Sequence, residues 1–234
     1  MFIVDTKNIL ILIIGLLNII LGFAVYLKNR HNPSNFWFFM MCLFGGGWGV
    51  VKAFQLSVMN ISWQESVFVK LIYIFGIIAA FSYLMLAYNF PYKSKVYSKK
   101  LLSLFYSVPL ILVLGAITGL LQKETDLIVN IVNNVLYRQV NVFDFSIFAV
   151  YFFLYIIFGG SILLNKYRSA DGIHKIQIKY LLWATLGTFI TTGFVSVVLM
   201  LFNIFTYDWL GAVFLLIHFG VAGYLIFIKP KAIR

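Results

Sequence analysis

Two lysines inside apolar runs are the residues of this sequence most suited to binding chemistry. Lys52 and Lys70 lie near the facing ends of two consecutive apolar runs, so antiparallel helices would hold them at similar depth. On the first helix, the i, i+4, i+7 spacing that starts at Trp48 places three side chains on one face. We therefore predict a polar ligand pocket formed by Trp48, Lys52, Gln55, Trp63, Lys70 and Tyr73.

A simpler interpretation of the same lysines stays open. Both lie within about one turn of the predicted membrane boundary. Long basic side chains at that depth extend to the headgroups, and tryptophan is common at the same level. In that case Lys52 and Lys70 anchor the helices and bind nothing.

The histidines and acids give no catalytic or metal-binding pattern. His31, His174 and His218 are far apart and lack the spacing of zinc ligands, so we expect no metal and no cofactor. His218 lies in the middle of the final apolar run, where it either bonds to another helix or has a functional role. No Asp or Glu lies within any run, so an intramembrane enzyme is the weakest of the functional hypotheses.

The composition is that of a chain dissolved in lipid. Hydrophobic residues make up 62% of the sequence and charged residues only 11%, whereas soluble proteins carry about 25% charged residues. The net charge of +11 would suggest a nucleic-acid partner in a soluble protein. Because these charges lie in short segments between apolar runs, they indicate the surface of a lipid bilayer and no nucleic acid.

The apolar runs predict an all-α, polytopic membrane protein: a single seven-transmembrane-helix domain over residues 1–234. A helix needs about 20 apolar residues to cross the hydrocarbon layer. Seven runs meet that length: 9–27, 36–56, 67–89, 101–121, 145–164, 180–202 and 210–228. The loop at 122–144 is the longest, and its β-branched residues around Asn133 and Asn134 suit either a short hairpin or an irregular lid.

The distribution of basic residues predicts the orientation. Thirteen Lys and Arg residues fall on one side of the predicted membrane and three on the other, while six of the seven acids fall on the poorly basic side. Basic loops stay in the cytoplasm. We therefore predict that the N-terminus is outside and the C-terminus is cytoplasmic.

Two groups of glycines predict close helix packing. The cluster at 45–49 lies inside the second run without the flanking strand or Lys-Ser pair of a phosphate loop, so it favours contact with a neighbouring helix. Gly115 and Gly119 form a GxxxG pattern in the fourth run. That pattern is typical of a seam within the bundle or of a dimer face, and it does not distinguish them.

Three stretches of the chain resemble the N-terminal seven-transmembrane sensing region of bacterial and archaeal histidine kinases. The first is Trp48 followed by VKLIYIFGIIAAFSYLMLAYNFP, from Val69 to Pro91. The second is ILLNKYRSADGIHKIQIKYLL, from Ile162 to Leu182, which is similar to the family's linker between its fifth and sixth helices. The third is GYLIFIKPKAIR at 223–234, similar to the family's passage toward the kinase.

The resemblance implies a sensor in a prokaryotic plasma membrane that passes a stimulus to a cytoplasmic output domain or protein through its seventh helix. It also implies a homodimer. The sequence up to Arg234 contains no phosphoacceptor helix and no ATP-binding domain, so we expect this chain not to be an enzyme, and to be either a piece of a longer receptor or a stand-alone module that signals through a partner. The alternative is a small transporter or permease, although the first and last three helices show no internal repeat.

Overall fold

The computed structural model describes residues 5–57, 62–93, 99–121, 142–198 and 208–228. Every regular element in these ranges is helical. The helices are α1 (Thr6–Lys28), α2 (Pro33–Ser57), α3 (Ser62–Asn89), α4 (Lys99–Thr118), α5 (Val142–Ser169), α6 (Gly172–Gly193) and α7 (Asp208–Gly223). Both α6 and α7 continue as one turn of π-helix, over Phe194–Val198 and Tyr224–Ile228.

Six of these helices are long and apolar enough to cross a membrane, judged by length and composition; α6 is the exception. Its first two turns carry Lys175 and Lys179, and it continues to Val198, the last residue described before position 208. The predicted sixth span ends at Phe202, which lies outside the described residues, as does most of the predicted outer loop at 122–144.

The helices form a ring with one helix beside it. Helix α1 packs on α2, α2 on α3, and α3 on α5. Helix α5 packs on α6, α6 on α7, and α7 in turn on α1 and α2, which closes the ring. Helix α4 packs beside α3, and the ring of Phe105 contacts Tyr155 of α5 at 6.0 Å. Large apolar side chains face outward along the helices, as lipid contact requires.

The helices α5 and α6 extend beyond the membrane spans predicted there. The predicted spans end at Leu164 and resume at Tyr180, whereas α5 continues to Ser169 and α6 begins at Gly172. Gly172 has φ 56°, a left-handed conformation that glycine adopts without steric penalty. Charge marks the edge of the hydrocarbon, whereas backbone hydrogen bonds extend a helix past it, so the two boundaries differ.

The glycine cluster in α2 packs as predicted against several helices. A Cβ atom built on Gly46 would lie 2.6 Å from the backbone oxygen of Gly15 in α1, and one on Gly47 would lie 2.8 Å from Phe75 of α3. Gly49 approaches Leu216 of α7 in the same way, at 3.1 Å. Small residues let helix backbones approach this closely, which lets α2 contact three helices at one level.

Candidate functional site

The predicted stripe on α2 faces the interior of the bundle. Lys52 and Gln55 are 4% and 5% exposed, and the Oε1 atom of Gln55 has no hydrogen-bond partner among the described residues. Trp48 packs beside Ile11 of α1 and Val213 of α7. The half-buried Trp48 therefore packs against the first and last helices of the chain, and Lys52 and Gln55 are buried on the same face of α2.

The other half of the predicted pocket faces a different neighbour. Tyr73 of α3 makes an edge-to-face ring contact with Phe148 of α5 at 5.1 Å, and Lys70, three residues earlier, is half-buried. Trp63 lies in the first turn of α3, and its side chain lies outside the described set. The structure brings Trp48 and Lys52 together on α2, and a pocket shared with Lys70 and Tyr73 stays a prediction.

The GxxxG pair in α4 lies at the end of the helix. Gly119 follows the last residue of α4 and has φ 77°, so its conformation reverses the chain. Gly115 accepts a hydrogen bond from the backbone N–H of Leu121, and a Cβ atom on Gly115 would lie 3.0 Å from the Leu121 side chain. These contacts account for both glycines within one chain, and a role in packing against another chain stays a prediction.

A second buried lysine, Lys166, lies at the opposite end of the bundle from Lys52. Its side chain is 5% exposed. Its Nζ atom donates to the backbone oxygens of Ala87 and Tyr88 at 2.8 Å each, of Phe90 at 2.7 Å and of Tyr92 at 2.6 Å. An ammonium group has three N–H donors, so at least one is shared between two of these oxygens.

Two prolines explain why α5 supplies donors to its neighbours. Pro91 has no N–H, so the oxygen of Ala87 four residues earlier needs another donor, which is Lys166. Pro109 inside α4 frees the oxygen of Phe105 in the same way, and the Tyr155 hydroxyl donates to it at 3.0 Å. Lys166 and Tyr155 are both on α5, which thus supplies donors for oxygens left free by a proline just after α3 and by a proline inside α4.

This arrangement predicts a measurable coupling between Tyr155 and Pro109. We expect Tyr155→Phe to lower the free energy of unfolding by about 1 kcal/mol, because the Phe105 oxygen loses its donor. In a Pro109→Ala background, the new N–H can bond to that oxygen and the same change should have less effect. Equal losses of unfolding free energy in both backgrounds would contradict the assignment.

The carbonyls bound by Lys166 lie beside the last helix of the chain. The ring of Phe90 contacts Phe227 at 5.6 Å, and Phe38 of α2 contacts Phe227 at 4.8 Å. Lys28 at the end of α1 donates to the backbone oxygen of Phe227 at 2.7 Å. The final π-helical turn is therefore held by side chains of α1, α2 and the segment after α3.

Lys166 is one of the thirteen basic residues from which the sequence predicts the orientation. The one feature of the sequence that could have indicated a further role for Lys166 is its position in the KYR run, within the stretch from Ile162 to Leu182 that carries the family resemblance. Its bonding partners lie more than seventy residues away in the chain, and no local pattern indicates them. Among the described residues, no group of three or more His, Cys, Asp or Glu side chains could hold a metal ion.

Comparison with known families agrees with the helix arrangement. Residues 10–228 match the family described as the N-terminal 7TM region of histidine kinase, so the match runs from α1 to the end of the final π-helical turn. No curated protein matches the chain. The fold and the match together define a multi-pass membrane protein.

The chain belongs to the family of N-terminal seven-transmembrane regions of histidine kinases. The matched region is the membrane-embedded sensing part of such a kinase and not its catalytic domain. A membrane sensor module of a two-component system is the role that this membership suggests.

Proposed function

We propose that this chain senses an extracellular or membrane-borne stimulus and passes it to a cytoplasmic signalling output through its last helix. The N-terminus is outside and the C-terminus is cytoplasmic in this proposal. The observation that carries it is the contact of Phe227, in the final helical turn, with Phe90, whose backbone oxygen is bound by Lys166. The last helix is thereby joined to the ends of α3 and α5.

The charge distribution supports this orientation. Lys28, Lys93, Lys100 and Arg168 lie at the end of the bundle where α1, α3 and α5 end and α4 begins. The final helical turn reaches the same end, because Lys28 bonds to Phe227. A strongly basic end indicates the cytoplasmic side, so the last helix would leave the membrane facing an output domain or protein.

The input would be received at the other end of the bundle. Lys52 and Gln55 of α2 are buried there and Trp48 packs beside Val213 of α7, while the Oε1 atom of Gln55, which has no partner among the described residues, is an acceptor for a donor group on a ligand. Lys70, Tyr73 and Trp63 of α3 belong to the same proposed site. Because α2 contacts α7 directly, a ligand at Gln55 can act on the last helix without an intermediate element.

Signalling requires that the stimulus bind one packing arrangement better than another. Helix displacements of about 1–2 Å are typical of such switches. The aromatic contacts around Phe227 are suited to two arrangements, because a ring can move past another ring without breaking a hydrogen bond. A homodimer through α4 is also part of the proposal, since the outer face of that helix is open to lipid or to another chain.

A fusion protein tests the output half of the proposal. The full chain would be joined after Arg234 to the cytoplasmic part of a histidine kinase, and autophosphorylation would be measured in nanodiscs on the folded fraction. We expect Lys166→Met to change the basal rate about fivefold or more, the lower range of allosteric coupling. Arg168→Met is the matched control, because Arg168 is exposed on the same helix, and it should leave the rate unchanged.

Equal rates in all three proteins would contradict transmission through the Lys166 contacts. Gln55→Leu and Lys52→Met test the input half in the same fusion protein. Both should abolish the response to a stimulus while the basal rate is kept. Solute uptake by proteoliposomes of the chain, with no response from the fusion protein, would favour the transporter alternative.

A further inference from the structure

A stripe of threonines on α6 faces the interior of the bundle. Thr185, Thr188 and Thr192 recur at i, i+3 and i+7, and they are 6%, 1% and 3% exposed. All three lie within the apolar part of the bundle, where a hydroxyl without a partner is unfavourable because no bulk water reaches it. The partners of these three hydroxyls therefore show how the stripe is satisfied.

The two outer threonines are fully explained by the described structure. Thr185 donates to the backbone oxygen of Leu181 at 2.8 Å, so the 2.9 Å contact with the Tyr83 hydroxyl is donated by Tyr83. Thr192 donates to the backbone oxygen of Gly211 in α7 at 2.8 Å. The stripe thus bonds to α3 at one end and to α7 at the other.

The middle threonine has a buried hydroxyl oxygen without a partner among the described residues. The Nδ1 atom of His218 in α7 is in the same condition. The two groups are at the same level, because the His218 ring lies against Gly187, the residue before Thr188; a Cβ atom on Gly187 would be 2.9 Å from the ring's Nε2. No direct hydrogen bond joins Thr188 to His218.

We propose that the Thr188 hydroxyl and the Nδ1 atom of His218 bind one buried water molecule between α6 and α7. Buried waters occupy sites where they bond to groups that are otherwise unsatisfied, with two to four partners each. Water suits either tautomer of His218, because it both donates and accepts. This site is in the middle of the bundle and does not depend on the proposed signalling role.

Thermal unfolding of single and double variants tests the shared ligand. Thr188→Val and His218→Phe each remove one partner of the water and should lower the melting temperature by about 2–4 °C. The melting temperature of the double variant should fall no further than that of the less stable single variant, because the same water is lost in both. An unchanged or higher melting temperature for Thr188→Val, or additive losses, would overturn the proposal.

Thr192→Val combined with His218→Phe is the matched control. Thr192 bonds to Gly211 and not to the proposed water, so these two losses should add. Thr188→Ser keeps the hydroxyl but removes a buried methyl group, so its melting temperature should also fall while the bound water is kept. If the losses of melting temperature in the control pair depart from additivity as much as those in the test pair, the coupling does not come from a shared water and the proposal is wrong.

Infrared spectra of the unaltered protein give a readout that does not depend on stability. A buried water has a sharp O–H stretching band that shifts when the sample is exchanged into oxygen-18 water. We expect one such band in the wild-type protein and its loss in Thr188→Val. The proposal is wrong if no band of the wild-type protein shifts, or if the shifted band persists in Thr188→Val.

Discussion

Replacement of Lys166 by methionine is expected to lower the free energy of unfolding by about 3 kcal/mol. Methionine keeps much of the apolar stem of the side chain but removes the cation that binds four backbone oxygens. Pro91 leaves the oxygen of Ala87 without a helical donor, so this oxygen becomes a buried unsatisfied acceptor in the variant. Reversible unfolding in mixed micelles measures the change.

Two further variants control for charge and for shape. Arg168→Met removes a cation from an exposed position of the same helix and should change the unfolding free energy by no more than about 0.5 kcal/mol. Lys166→Arg keeps the charge, but its planar guanidinium cannot converge on four oxygens as an ammonium does, so an intermediate loss is expected. If Lys166→Met and Arg168→Met are equally stable, the carbonyl contacts of Lys166 contribute nothing.

Replacement of Gly46 by alanine is expected to lower the free energy of unfolding by about 2 kcal/mol. The new methyl group would lie 2.6 Å from the backbone oxygen of Gly15 and 2.8 Å from the Cγ1 atom of Ile19. A backbone atom cannot rotate away as a side-chain end can, so α1 and α2 must separate. The same unfolding assay in micelles measures the loss.

The neighbouring glycine is the matched control for this variant. A Cβ atom on Gly45 meets only the Cδ2 atom of Leu215, at 3.6 Å, which is ordinary van der Waals contact. Gly45→Ala should therefore raise stability by about 0.5–1 kcal/mol, the gain from helix propensity. Equal effects of the two variants would show that the approach of α1 to α2 does not limit the size of residue 46.

The predictions for Lys166 and for Gly46 concern different kinds of contact around the last helix. Glycines of α2 let that helix approach α1 and α7, and Trp48 of α2 packs beside Val213 of α7. Lys166 and Phe90 hold the other end of the same helix through Phe227. A sensor whose output is the last helix needs contacts at both of its ends, since a stimulus at one end must change the packing at the other.

Much of the fold could be predicted from local properties of the sequence. Each predicted span overlaps a described helix, because the length of an apolar run and the position of charges follow from the thickness and polarity of the membrane alone. The buried state of Lys52 and Gln55 agrees with their shared helical face. The ends of the helices α5 and α6 could not be predicted in this way, because charge indicates the membrane edge and not the end of backbone hydrogen bonding.

The sequence by itself determined the membrane class, the helical content and the glycines that pack closely, since each follows from residues near one another in the chain. Only the tertiary structure decided that Lys166 binds the oxygens at the end of α3 and that Thr188 and His218 share a level. Lys166 and Ala87 are 79 residues apart in the sequence. Every residue carries a backbone oxygen, so the residue type of an acceptor does not indicate which oxygen Lys166 binds. Only the packing of α5 against α3 brings that donor to its acceptors.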